Sequence, residues 1–171
     1  MVAVAILGVL AALAGPNFSE SIQRYRVNAI RDDLVSSIQF ARSEAIRRGA
    51  QISVARTTGC GGVVLSGNDD WSCGWEVFLD RNANGVRNTN ADPTLDDTLL
   101  QQSVVTAGYG VMHTGLGAFL TINVWGQITG VGRNFRLTPP SGVAGKSTST
   151  LCINSGGRVR TLQNDVVCPA N

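Results

Sequence analysis

The chain of 171 residues has few of the groups most enzyme chemistry needs. His113 is the only histidine, and no C-x-x-C pair occurs, so the ligand spacing of a structural zinc site is missing. No G-x-x-x-x-G-K-[ST] loop is present, which excludes a nucleotide-driven motor of the P-loop kind. Ser66, Ser103 and Ser141 stand outside any G-x-S-x-G elbow. His113 has neither a cysteine nor a carboxylate close by in sequence and reads as structural. The chain is therefore not read as an enzyme, and no cofactor or metal is implied. Lysine is nearly missing as well: of 14 basic residues, 13 are arginine and Lys146 is the exception. The long apolar run of a membrane span is also lacking. The uncharged stretch from Met1 to Ala14 gives about 21 Å of helix, against about 30 Å of hydrocarbon to cross.

What is present begins with that stretch. Helical periodicity runs on past Ala14 to Arg48, with Gly15 and Pro16 at the join. Pro16 removes one backbone donor, which kinks a helix without having to end it. From residue 17 on, Val27, Ile30, Leu34, Ile38, Ala41 and Ala45 recur at steps of three and four and form one apolar stripe. Arg24, Arg31, Asp32, Arg42 and Arg47 fall mostly off it. Arg47 and Arg48 in the last turn, followed by Gly49, form a C-terminal stop signal. Two readings fit the apolar start. One is a secretory signal, with Ala12 to Ala14 as a small-residue cleavage site but no basic segment before it. The favoured one is a longer membrane helix whose beginning lies upstream of Met1, because the helical pattern does not stop at residue 14.

Beyond the helix the chain is rich in Gly, Thr, Val, Asn and Ser, with short apolar runs between turn signals. Expected strands are 51–56, 74–80, 98–106, 118–124, 134–138, 148–153 and 158–162. A loop around Pro139 and Pro140 interrupts the later ones. The class is α+β: a long N-terminal helix, apolar spike plus amphipathic stem, packed on antiparallel β-sheet. Residues 1–16 form the spike, and 17–171 form one globular domain that includes the stem, 17–48. No internal repeat is visible. Cys60, Cys73, Cys152 and Cys168 allow three pairings. The local pairs, 60 with 73 and 152 with 168, are favoured because each brackets a turn-rich segment. Disulfides imply an oxidising compartment, so the domain is expected to face the periplasm or the outside.

Charge is unevenly placed. Residues 1–49 carry +2, residues 50–108 carry −4, and residues 109–171 carry +4. In the basic last third, Arg158 and Arg160 flank Val159; on a strand both project to one face. Gly156 and Gly157 just before them allow close backbone approach. Arg133, Arg136 and Lys146 extend the patch. Guanidinium forks suit phosphate oxygens, and such contacts give affinity without reading sequence. Taken alone, the residues favour a plainer role, charged guards on a sheet edge. Two further patterns are weak. Asp80, Asn82, Asn84 and Gly85 resemble the start of a calcium loop, but Ala91 stands at the twelfth position, so an Asn-Gly turn is preferred. Trp71 and Trp75 flank Cys73 and are expected to pack on its disulfide and the sheet, with a base-stacking platform as the lesser reading.

VAVAILGVLAALAGPNF followed by LVSSIQFARSEAIRRG resembles the N-terminal helix of type IV pilins and pseudopilins, and within them the FimT/GspH-type minor pilins. The resemblance is strong over residues 1–56. It recurs at WSCGWEVFLDRNANG, residues 71–85, and at GRVR, residues 157–160. The processing signal of that family, a glycine, the cleaved bond, an aromatic residue and a following glutamate, does not occur here. The resemblance implies a pilin-like fold, neighbouring pilin subunits as partners of the helix, and an inner-membrane stage with a periplasmic head before assembly into a surface pilus. It also implies a DNA-binding role in natural transformation through the C-terminal G-R-x-R motif. That motif maps onto Gly157, Arg158 and Arg160, with Arg133, Arg136 and Lys146 as helpers and double-stranded DNA as the partner. The alternative is a structural minor pilin or type II secretion pseudopilin that initiates filament assembly without a ligand.

Overall fold

The computed structural model describes residues 2–60, 65–89, 96–115, 117–129, 134–140, 147–164 and 166–169; for 2–18 it describes backbone only. One helix, α1 (Val2–Arg48), carries the whole N-terminal part. Its 47 residues reach about 70 Å. It passes through Gly15 and Pro16 without ending. Gly49 stops it in the left-handed conformation, φ 60°, and the Ala50 amide donates back to Ala45 O at 3.3 Å. This is the glycine cap the sequence called for. Among the described residues no helix is long and apolar enough to cross a membrane.

The stripe on the stem is buried as its spacing requires. Val27, Leu34, Ile38, Ala41 and Ala45 are buried, and Ile30 packs beside them. They meet two antiparallel sheets where a single one was expected. The first orders β3 (Leu99–Ser103), β2 (Trp75–Leu79), β1 (Ile52–Arg56), β5 (Phe119–Ile122) and β6 (Ile128–Thr129). The second orders β4 (Gly110–His113), β7 (Asn134–Thr138), β8 (Ser149–Ile153) and β9 (Val159–Gln163). The expected strands 98–106 and 118–124 shrink to five and four residues. β4 and β6 were not expected at all. β4 is short, begins at Gly110 and follows Gly108; β6 has two residues, too few for a pattern.

The core forms where the inner faces of both sheets meet the stem. Val54 pairs with Val77 on one side and Leu120 on the other. Phe135, Leu137, Leu151 and Ile153 supply the second sheet's share. Ser37 on the stem accepts from Trp75 Nε1 at 2.9 Å and from Gln101 Nε2 at 3.0 Å, so buried polar groups also tie helix to sheet. Truncating Ile38 to alanine would leave a cavity costing about 2–5 kcal/mol. The sheets are joined near Trp71: its amide donates to Val111 O at 2.8 Å, and the His113 amide donates to Asp69 O at 2.8 Å. His113 is buried, stacked on Phe135 with centroids 4.7 Å apart, and its Nδ1 lies 2.8 Å from Gly117 O.

Both favoured cysteine pairs are disulfides, Cys60 with Cys73 and Cys152 with Cys168, with Cα atoms 5.3 and 5.8 Å apart. The first sits on the turn before β2. The second ties the C-terminal segment onto β8.

Candidate nucleic-acid interface

β9 is the edge strand of the second sheet, and the turn that feeds it is built by Asn154. The Asn154 Oδ1 accepts from the Arg158 amide at 2.8 Å. The backbone closes around it: Gly157 N donates to Asn154 O at 2.9 Å, and Asn154 N to Arg158 O at 3.1 Å. Gly157 has φ 77°, a conformation that costs a side-chain-bearing residue energy.

From this turn the strand alternates. Val159 points inward and packs on the core, while Arg160 projects outward and is exposed. Arg158, one step earlier, is exposed on the same side. Arg160 pairs with Cys152, and Cys152 with Asn134, so one row of side chains crosses the outer face of three strands. Arg158 and Arg160 together line a depression of about 140 Å³ with Asn134, Asn154, Cys168 and Pro169. Two guanidinium groups thus share one concavity on the sheet face. Among the described residues neither forms an ion pair.

Arg136 lies on the same face, opposite Thr150 in the register, but it is half-buried. It lines a separate hollow of about 100 Å³ with Thr114, Val166, Val167 and Cys168. The disulfide-held C-terminal segment passes between it and the pair. Arg133 and Lys146 lie outside the described residues.

Two residues were not singled out by the sequence. Arg42, on the stem, donates to the backbone of this turn from the helix side. Trp125, in the turn between β5 and β6, is 78% exposed. Trp71 and Trp75 are fully buried, which removes them as a stacking platform. Trp71 Nε1 donates to Gly117 O at 3.0 Å, and Trp71 packs edge-on against Phe135.

The calcium-like segment folds as a turn whose oxygens are already engaged. Asp80 is buried and accepts from Ser53 Oγ at 2.6 Å, Asn84 N at 3.1 Å and Gly85 N at 2.8 Å. Asp97 accepts from Arg81 N, Asn88 N and Asn88 Nδ2. Among the described residues no cluster of three metal-ligating side chains occurs; Ala91 and Asp92 lie outside them.

A long N-terminal helix with its stem laid on antiparallel sheets is a pilin-like fold. The family model described as type II transport protein GspH matches residues 31–162, and the chain belongs to that family. Two crystal forms of the type IV minor pilin FimU from Pseudomonas aeruginosa share the fold. They are 18% and 19% identical, with TM-scores of 0.56 and 0.58; the matches cover 81% and 84% of this chain and 94% and 92% of FimU. The minor pseudopilin EpsH from the Vibrio cholerae type 2 secretion system is 12% identical over 79% of this chain and 94% of its own, with a TM-score of 0.47. No curated protein sequence matches the chain.

Proposed function

We propose that this subunit binds DNA through phosphate contacts from Arg158 and Arg160, as a minor pilin serving DNA uptake. The observation that carries the reading is the shared depression: two exposed arginines, without carboxylate partners among the described residues, aimed from one strand onto one concave face. Arg136, across the C-terminal segment, is a helper at longer reach, and Arg133 and Lys146 are helpers by sequence. Gly157 lets the backbone turn tightly enough to present Arg158. Phosphate contacts of this type give no base readout, so duplexes of any sequence should bind alike.

Residues 1–16 act as the filament-core segment, held in the inner membrane before assembly, and 17–171 form the head on the periplasmic side. Neighbouring pilin subunits are the partners of the helix. After assembly the head sits on a surface pilus, whose retraction draws bound DNA inward. One head binds weakly: with about three phosphate contacts, a fourfold rise in salt lowers affinity on the order of 40-fold. Several heads on one filament offset this through effective concentration.

The test is a mobility-shift titration of the full chain in non-ionic detergent against a mixed-sequence duplex, at low and moderate salt. Salt-sensitive binding that Arg158→Ala/Arg160→Ala abolishes supports the reading. A double variant that binds like the parent refutes this site. Absence of binding at low salt leaves the structural subunit, a role that the edge position of β9 also fits.

A further inference from the structure

The stem of α1 reaches the arginine turn through one side chain. Arg42 Nη2 donates to Gly156 O at 2.9 Å, and its Nη1 lies 3.5 Å from Gly157 O. Its Nε donates to Gly126 O at 2.8 Å, in the turn between β5 and β6. Nη1 also donates to Gln39 Oε1 at 3.0 Å, and Gln39 Nε2 donates to Gly157 O at 3.3 Å. A direct backbone bond joins the same two turns, Ile128 N to Ser155 O at 2.9 Å. One guanidinium therefore bridges the helix and two turns that lie far from it in sequence.

Gly157 lies against that guanidinium. A Cβ there would overlap Arg42 Cζ, Nη1 and Nε, so a side chain at this glycine of the G-R-x-R segment is strained by its φ and has to push Arg42 off its acceptors. Gly126 is similarly placed, with φ 73° and no room for a Cβ beside Ile46. Arg42 offers five N–H donors, and about four of them face these acceptors. Few donors are left for a ligand, so Arg42 is placed to shape the turn and not to grip phosphate.

We propose that Arg42 is the positioning residue of the arginine site: it fixes the 154–158 turn on the filament helix and thereby sets the direction of Arg158 and Arg160. The inference rests on the reading of those two arginines as phosphate contacts. A planar fork is needed to span three carbonyls; a lysine ammonium carries the same charge on one point and cannot.

The test uses the full chain in non-ionic detergent, with two readouts. One is amide hydrogen exchange at Asn154, Gly157 and Arg158. The other is affinity for duplex DNA across a salt series. Arg42→Lys is expected to speed exchange in the turn and weaken binding about tenfold, the scale of a lost charge-assisted hydrogen bond, while the salt slope stays that of the parent. Arg158→Ala is expected to lower the slope by about 0.9 with exchange in the turn unchanged. Gly157→Ala keeps Arg42 in the sequence but pushes its guanidinium off the turn and strains the turn's own φ, and should mimic Arg42→Lys; it decides the matter if Arg42→Lys folds poorly. Parent-like exchange or parent-like affinity in both variants overturns the proposal, as does a reduced slope for Arg42→Lys, which would make Arg42 a phosphate ligand. If the parent binds no DNA, the functional reading falls and exchange alone decides: a loosened turn keeps the clamp, an unchanged one removes it.

Discussion

Two turns in this molecule carry the same vocabulary of Asn, Gly and charge and put it to opposite use. The 80–88 turn after β2 directs its charge inward. Asp80 and Asp97 are buried, and each accepts three hydrogen bonds from the turn and its surroundings. The 154–158 turn is held by the Asn154 side chain and by the Arg42 guanidinium that clasps its carbonyls, and its own charges at Arg158 and beyond are left on the surface. The lesson is that a ligand-like motif says little until the partners of its polar atoms are known. Oxygens that already hold up a fold are poorly placed to hold an ion, whereas cations that hold up nothing are free to meet one.

The contrast is sharpest under mutation. Asp80→Ala should cost about 3 kcal/mol, since it leaves Ser53 Oγ and the Gly85 amide without their acceptor in a buried place, while the Asn84 amide keeps Asn82 Oδ1. Chemical denaturation measures this; a change under about 1 kcal/mol would mean the turn is held by something else. Arg158→Ala/Arg160→Ala should instead leave stability within about 0.5 kcal/mol of the parent, as exposed substitutions do, while DNA affinity drops. A double variant that also unfolds easily would put these arginines in the same structural role as Asp80 and dissolve the comparison.

How much of this was readable beforehand follows from the range of each interaction. The buried stripe Val27, Leu34, Ile38, Ala41 and Ala45 was readable because helix periodicity is local. So was the Gly49 stop, which needs only the residue and its neighbours. The alternation that turns Val159 in and Arg160 out was legible for the same reason. The division of the strands into two sheets was not, because it is decided by pairings distant in sequence, β1 with β5 and β4 with β7, that no pattern announces. Arg42 was read only as a residue off the apolar stripe. Its acceptors are backbone carbonyls 84 and 114 residues away, and a carbonyl has no signature in sequence. Trp125 went unremarked, although the Asn123 and Gly126 around it are turn residues that signal exposure.

A smaller effect tests the helix end that carries both regions. Hydrogen bonds from Arg47 and Arg48 hold the Glu44 carboxyl at about 2, below its ordinary 4.5. A carboxylate whose pKa is depressed by folding adds stability above its unfolded value and loses it as pH falls through the folded one. The parent should therefore lose melting temperature between about pH 4.5 and pH 2, and Glu44→Gln should lose less over that interval. Equal acid sensitivity in both proteins would remove Glu44 as a contributor.

The smallest expected effect is none at all, and it bears most directly on the two turns. Calcium needs six to eight oxygens at about 2.3–2.6 Å, arranged around an open centre. The carboxylate oxygens of Asp80 in the 80–88 turn, and of Asp97 facing that turn, already meet amide and hydroxyl donors. A cation would have to displace at least three such bonds to Asp80 alone. Arg81 and Arg87 stand beside it, and Arg87 is paired with Glu76 at 2.9 Å. Millimolar calcium should leave the melting temperature where chelator leaves it. A ligand present at a hundred times its dissociation constant adds about 2.7 kcal/mol, a shift no thermal scan would miss. A rise with calcium that Asp80→Asn abolishes would show that this turn yields its oxygens to an ion, and the division between an inward-facing and an outward-facing loop would no longer hold.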